Sequence, residues 1–572
     1  MLLTSEQTAN PMRINNPYKL TFSSLLELPF DSWDLSEFSG TKLWMRHQSL
    51  NLSALHRKLF KCRLDRDKLA AVVADISGHF GLVFQGGDEA FAASDACNTA
   101  LILFGYDGQS KQHYFGQSGA AIVDQLELTD RDTSSIGALS IALSGYTIGT
   151  NTLYESVRAL APGTLIYLKH GQTPTECSTH QFRPWEAQPL KWDRLKSELS
   201  EELRAMFERL IQSAAGRPIV VPLSAGLDSR VLVAGLKEFG YKNVKCFAYG
   251  LSGNHEALAS KRIAEALGYS WEFVPYTNQR QKAVYQSEEH REYVTFADTL
   301  TGVHFEQEFL ALRELRETGW LEGDAIILNG QSGDFISGNH IPTKFFTAST
   351  DDVQERKRLI VNELIERHFK LWRSVATEDS HSLVAERLTR ELGQFDPFPD
   401  DPSLDYGLYE WSEFKDRQSK YVVQNVRLYE FFKFDWRMPL WDREFMDFWA
   451  KAPLSAKKNQ ALYRETLRDL DWGGVWHSVP VNLRNIRPMW IRPLRLALKA
   501  LHAPVGKQKW HQFERRYLTY WTNNLCSTAH IPYARITRDT RGAWGAVSWW
   551  TEKYLARRGL SLETVLERSA TQ

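Results

Sequence analysis

The segment "PIVVPLSAGLDSRVLVAGLKEFG", Pro218 to Gly240, constrains the fold more than any other part of the chain. A β-branched apolar run passes through a turn of small residues into an amphipathic helical pattern, the strand-to-helix step of a parallel sheet. Sheets of this kind bind ligands at the carboxyl ends of their strands, where the free amides of a helix N-terminus attract an anion. Ser224, Ala225 and Gly226 let a phosphate approach the backbone, and the hydroxyls of Ser224 and Ser229 can donate to its oxygens. Asp228 would repel that phosphate unless a divalent cation bridges them, so the loop implies Mg2+ as well. The spacing is neither GxxxxGK[ST] nor GxGxxG. An N-capping Ser or Asp on an ordinary helix would give part of the same pattern.

The neighbouring chain repeats the alternation. Helical spacing in "DRLKSELSEELRAMFERLIQSAAG" precedes the strand Ile219 to Leu223 and a helix from about Ser229. A strand "NVKCFAYG", a helix "HEALASKRIAEALG" and a strand "WEFVPY" then follow. A third strand-to-loop step, "AIILNGQSGDFISGNH", again sets small residues and one carboxylate, Asp334, after an apolar run. Two strand-end loops with one Asp each can hold a metal ion and a pyrophosphate between them; a glycine-rich turn with a solvated Asp334 is the plainer alternative. Earlier, "LAAVVADI", "FGLVFQ", "TALILFGY" and "GTLIYLKHG" read as short β-rich runs separated by turn signals. They predict a sheet-rich α+β domain, closed by the irregular "CSTHQFRPWEAQPLKWD" as a linker. The expected divisions are 1–190, 191–480 and 481–572.

Composition narrows the class. A chain of 572 residues exceeds one ordinary core, and 43% hydrophobic with 24% charged residues suits a folded soluble protein. No apolar run is long enough to span a bilayer, and "MLLTSEQTANPMRINNPYKL" lacks the pattern of a secretory signal, so a cytoplasmic location is expected. The cysteines Cys62, Cys97, Cys177, Cys246 and Cys526 form no CxxC pair, which implies neither a disulfide framework nor a zinc site. Lys plus Arg and Asp plus Glu are 69 each, so whole-chain charge points to no polyanionic partner, and no nucleic-acid role is expected. Locally, Val481 to Arg516 carries Arg484, Arg487, Arg492, Arg495, Lys499, Lys507, Lys509, Arg515 and Arg516 against the single acid Glu514. With Trp490, Ile491, Leu494, Leu496, Leu498, Leu501 and Trp510 interleaved, this predicts a basic helical extension. It serves either as a cap packed on the preceding domain or as a surface resting on an anionic membrane.

At this point the residues resemble a known family. "LSAGLDS" is similar to the SGGxDS pyrophosphate loop of asparagine synthetases and their N-type ATP pyrophosphatase relatives. "CFAYGLSGNHEALASKRIAEALG" resembles the family's next strand and helix, "LNGQSGDFISGN" its second metal and nucleotide loop, and "KAPLSAKKNQALYRETL" the segment with its catalytic lysine. The order and separations agree from about 195 to 475. "SGHFGLVF…AASDACNTALILFGY" and "TLYESVRALAPGTLIYL" are similar to the family's glutaminase-type N-terminal domain. The resemblance implies an α/β and α+β protein: an Ntn-hydrolase-like sandwich followed by a PP-loop (adenine nucleotide alpha hydrolase-like) parallel-sheet synthetase domain. It further implies ATP and Mg2+ as cofactors, with Ser224, Ala225, Gly226, Asp228 and Ser229 on pyrophosphate and Leu223, Tyr249, Asn329 and Gly330 on the nucleotide. Asp228 and Asp334 would hold the metal. A carboxylate would attack the α-phosphorus of ATP to give an acyl-adenylate, and ammonia or an amine would displace AMP. Intramolecular amide closure, as in the family's lactam- and macrolactam-forming relatives, and a catalytically inactive nucleotide-binding scaffold are the alternatives.

Three departures bear on the nitrogen chemistry. The family's glutaminase uses a cysteine directly after the initiator Met, but position 2 is Leu2, so the N-terminal domain is expected to lack glutamine hydrolysis. Gln331 stands where the family usually has Glu, and the catalytic lysine aligns with Gln460. Lys458 and Lys457 lie within one turn and are the candidate substitutes, with a solvated helix face as the alternative for both. Arg230 and "GDFISGNHIP" resemble asparagine-synthetase-like proteins of bacterial surface-polysaccharide clusters, which suggests a sugar carboxylate such as a uronic acid as acceptor.

Overall fold

The computed structural model describes residues 22–24, 33–47, 50–107, 112–169, 172–347, 350–395, 397–480 and 485–570. The chain start with Leu2, and Arg484 of the basic segment, lie outside the described residues. Before residue 190 the strands are β1 (Phe22–Ser24), β2 (Asp34–Phe38), β3 (Thr41–Arg46), β4 (Gly81–Gln85), β5 (Glu89–Ser94), β6 (Leu103–Asp107), β7 (Gln112–Gly116), β8 (Val157–Ala159), β9 (Thr164–Lys169) and β10 (Thr175–Ser178). They form two sheets, ordered β1-β7-β6-β8 and β10-β9-β5-β4-β3-β2, antiparallel throughout except where β1 joins β7.

Period-two alternation sorts the side chains of these strands. Val83 of β4 shares the inter-sheet core with Trp44, Ile166 and Phe115. Leu82 and Phe84 point the other way, toward Leu59, Leu69 and Val73 of the helices Leu52–Cys62 and Arg66–Ala74. On the outer side of the smaller sheet, Leu103 and Tyr114 join the core of the helices Gly119–Gln125 and Ser135–Ser144. The result is a four-layer αββα sandwich, the Ntn-hydrolase-like arrangement expected. One local expectation fails: "LAAVVADI" is not a β run but lies mostly within the helix Arg66–Ala74. Asp65 caps that helix by accepting from the Lys68 amide, and Leu69 and Val73, four apart, bury themselves on the sheet. Capping and tertiary packing outweigh the β preference of two valines.

The second domain is built on a parallel sheet of β11 (Ile219–Pro222), β12 (Val244–Gly250), β13 (Ser270–Pro275), β14 (Ile326–Leu328) and β15 (Asp435–Arg437), ordered β13-β12-β11-β14-β15. Ile219 to Val221 and Ile326 to Leu328 are wholly buried, as strands covered by helices on both faces must be. The helix Trp192–Ala214 buries Leu195, Leu199, Leu203, Met206, Phe207 and Leu210, the helical spacing read from sequence. Strand order reverses beside β11: β12 lies to one side and β14 to the other, so the loops after β11 and β14 open a crevice between them.

The two domains share one apolar core, which runs from Leu139 and Tyr154 through Leu300 to Trp441. Backbone bonds cross the seam, Thr147 N to Thr301 O at 2.7 Å and Leu153 N to Leu300 O at 2.8 Å. Buried Lys420 donates to the Thr147 carbonyl at 2.8 Å and to Asp416 at 2.9 Å, while Asp416 accepts the Gly149 amide at 2.8 Å. The predicted linker is packed rather than free, with Phe182 buried and Pro184 pressed onto Gly407. The C-terminal extension also returns to the first domain, where Arg568 donates to the Asp130 carbonyl and Thr133 Oγ1, each at 2.7 Å.

Candidate nucleotide and metal site

The loop after β11 folds upon its own hydroxyls. Ser229 Oγ accepts the Ser224 amide at 3.0 Å, Ser224 Oγ accepts the Gly226 amide at 3.2 Å, and the two hydroxyls lie 3.1 Å apart. One O–H serves the contact between them, which leaves the other free to donate outward. Ala225 is buried and is not among the residues with positive φ, so the methyl group that replaces the family's glycine is carried without backbone strain. Arg230, one turn into the helix Asp228–Glu238, is fully buried and donates to the carbonyls of Ala225 at 3.1 Å, Val479 at 2.7 Å and Val475 at 3.3 Å. Burial without a carboxylate partner lowers its pKa to about 10. It is a strut that ties the loop to the chain at 475–480.

The loop after β14 meets the start of the helix Asp228–Glu238 edge to edge. A Cβ on Gly330 would lie 3.1 Å from the Ser229 amide nitrogen, and one on Gly333 would lie 2.5 Å from Asp228 Oδ1. Glycine at 333 is therefore what admits the Asp228 carboxylate over the second loop. Asp228 Oδ2 accepts the Asp334 amide at 2.9 Å, while Oδ1 is buried without a hydrogen-bond partner. Burial first, and then the Asp334 charge, hold the Asp228 carboxyl well above its ordinary range. Asp334, with its side chain 45% exposed, is held below the ordinary range because His340, 3.4 Å away, outweighs desolvation. His340 also contacts Glu413 at 2.5 Å, and against the effect of burial the two carboxylates raise it to about 9. A buried carboxylate with an oxygen left out of its hydrogen bonds, interacting with a second, half-exposed carboxylate, fits a divalent oxygen-liking cation.

Of the expected nucleotide residues, Asn329 is buried and bonded within its loop: its Oδ1 accepts the Gln331 amide at 2.7 Å and its Nδ2 donates to Tyr429 Oη at 2.9 Å. Tyr429 continues to Glu308 at 2.7 Å, and Tyr249 Oη donates to the same carboxylate at 3.3 Å. Burial raises Glu308 to about 7 despite the two phenols. Glu308 and Tyr429 thus join Tyr249 and Asn329, although no motif marks them in sequence; they arrive from distant segments. Leu223 is buried just past the end of β11, its amide donating to the Phe247 carbonyl at 2.8 Å.

The two lysines lie otherwise than their proposed role suggests. Lys457 and Glu410 are both fully buried and 2.6 Å apart, with the ammonium above the Phe182 and Tyr406 rings. Lys458 is exposed, its ammonium over Phe346 at 5.2 Å. Gln460 instead turns toward the second loop, donating to Ser337 Oγ at 2.8 Å and accepting from Arg464 at 3.3 Å. Asn459 and Gln460 both hold positive φ, 55° and 59°, a strained turn beside the site. Cys97, Cys246 and Cys526 are buried, and burial raises each thiol, whereas Cys62 and Cys177 are half-buried.

Comparison with known proteins gives one family. Residues 199–470 match the asparagine synthase family. No curated protein matches the chain. Among solved structures, the glutamine phosphoribosylpyrophosphate amidotransferase from B. subtilis, complexed with ADP and GMP, is 11% identical over 42% of this chain and 72% of its own, with a TM-score of 0.17, a likeness too slight to bear on function. The match spans β11 to the helix Ala461–Leu470, and so both strand-end loops: residues 199–470 form a domain of the asparagine synthase family.

Proposed function

We propose that the protein is an ATP-dependent, AMP-forming amide synthetase that adenylates a carboxylate and transfers an amino group to it. The observation that carries this reading is the buried, unpartnered Oδ1 of Asp228 set against the second loop beside Asp334. In this reading Ser224, Ala225, Gly226 and Ser229 bind pyrophosphate through amides and hydroxyls, and Leu223, Tyr249, Asn329 and Gly330 border the nucleotide. Asp228 and Asp334 hold Mg2+, which when bound offsets charge on the departing pyrophosphate. Arg230 keeps the first loop in shape, and His340 fixes the Asp334 carboxylate. The acceptor is a sugar carboxylate of the uronic-acid type, and the nitrogen comes as ammonia or an amine. The test is ATP–pyrophosphate exchange with a panel of carboxylates. Exchange with a uronic acid, lost in Asp228→Ala, is expected; ATP binding without exchange for any acid would leave a scaffold, and conversion of an amino-bearing acid to its internal amide with release of AMP and no external amine would indicate a cyclase.

A second reading concerns location. Around the helix Ile491–His502, Met489, Trp490, Leu494, Leu496, Leu501 and Val505 are exposed, up to 74% at Leu501. Residues 485–513 contain no acid, and Lys499, Lys507 and Lys509 sit among these apolar side chains. A basic helix with an uncovered apolar face suits the surface of an anionic bilayer, although no helix among the described residues is long and apolar enough to cross one. Co-sedimentation with phosphatidylglycerol vesicles, but not phosphatidylcholine vesicles, is expected, and Leu496→Asp with Leu501→Asp should abolish it. Binding that survives both changes would refute the reading.

A further inference from the structure

Away from the two loops, three side chains converge where the C-terminal extension closes on the second domain. His290 stands on the helix Glu288–Phe296, and His304 and Glu306 on the chain leading to the helix Phe309–Glu317. All three are buried, and their nitrogen and oxygen atoms lie within 4.8 Å of one another. His290 Nε2 is 3.3 Å from Glu306 Oε2, and His304 Nε2 contacts Glu306 Oε1. Yet neither nitrogen of His290, nor His304 Nε2, nor either oxygen of Glu306 makes a hydrogen bond. The three side chains crowd together at ion-pair range without a well-aligned hydrogen bond.

A buried carboxylate with no hydrogen bond is costly unless a cation meets it. Two imidazole nitrogens and one carboxylate oxygen are the three-protein-ligand set of divalent zinc-type sites, and nitrogen donors disfavour Mg2+ and Ca2+. The extension roofs the cluster with Trp550, whose ring lies 5.6 Å from His304 and 6.1 Å from His290 and stacks on His530 at 3.9 Å. We propose that His290, His304 and Glu306 bind a divalent transition-metal ion, Zn2+ by donor chemistry, which pins the extension to the second domain. This site shares no residue with Asp228 and Asp334, so its fate is independent of the proposed reaction.

The test uses the full chain with Asp228→Asn and Asp334→Asn, which removes the oxygen-only site. After chelation and dialysis, Zn2+ added back should be retained at one equivalent per chain, and Co2+ should give the visible absorption of a four-coordinate nitrogen and oxygen site. His290→Ala with His304→Ala should lose both signals, and tryptic cleavage ahead of Trp550 should accelerate. His290→Gln with His304→Gln serves if the alanine pair does not fold. A parent protein that retains less than about a tenth of an equivalent of Zn2+ and gives no Co2+ band would overturn the proposal whatever the variants do; so would metal retention unchanged in a folded double variant.

Discussion

At the scale of single residues, the site depends on what is missing at position 333. An Ala there keeps an allowed backbone, since Gly333 is not among the positive-φ glycines, but its methyl would displace the Asp228 carboxylate. Gly333→Ala should therefore leave the circular dichroism spectrum and melting temperature nearly unchanged while reducing pyrophosphate exchange by about 100-fold, the usual cost of a displacement near 1 Å. Arg230 behaves differently because it reaches carbonyls on two segments. Arg230→Met strands them in the interior, and urea unfolding should show a loss of about 1–3 kcal/mol. The KM for ATP should rise more than kcat falls, because the loop loosens before any reacting group is lost. Ala225, Asp228 and Ser229 stand out in the sequence because small and hydroxylated residues fall together in one short run after a strand. Glu308 and Tyr429 could not, because 121 residues separate partners that meet only through the fold.

At the scale of elements, the turn from Lys457 to the helix Ala461–Leu470 sets Lys457 against Glu410 in the interior and leaves Lys458 exposed. Lys457→Met leaves Glu410 buried without a partner, which typically costs about 3–5 kcal/mol. Glu410 is already raised to about 7 by burial, which outweighs Lys457. A carboxyl raised in the folded state stabilises most below its unfolded pKa, and that contribution is lost as pH rises through the folded value. The deficit of Lys457→Met should accordingly be small near pH 5 and full at pH 8, as followed by thermal melting. Lys457→Met with Glu410→Leu should recover most of the stability and also the exchange activity. Recovered stability without activity would restore Lys457 to a catalytic role.

At the scale of the whole molecule, the seam between the domains is part of the core. A fragment of residues 191–570 would expose Leu300 and the Lys420–Asp416 pair, and it would lose the Thr147 and Gly149 groups that those charges bond. It should not unfold cooperatively, and near-UV circular dichroism of the fragment should be flat where the full chain shows a spectrum. A cooperative melt of the fragment would show the domains to be independent.

The sequence by itself determined the strand-to-helix steps, the recurrence of an Asp-bearing loop after two strands and the sheet-rich character of the first domain. Each of these rests on local periodicity or on a run of residues that chemistry requires side by side. Only the tertiary structure decided that "LAAVVADI" is helical, that Lys457 pairs with Glu410, that the helix Ile491–His502 leaves Leu494, Leu496 and Leu501 exposed, and that two histidines and a glutamate converge. Those outcomes turn on which distant surfaces meet and what each leaves buried or bare, and no short-range pattern carries that information.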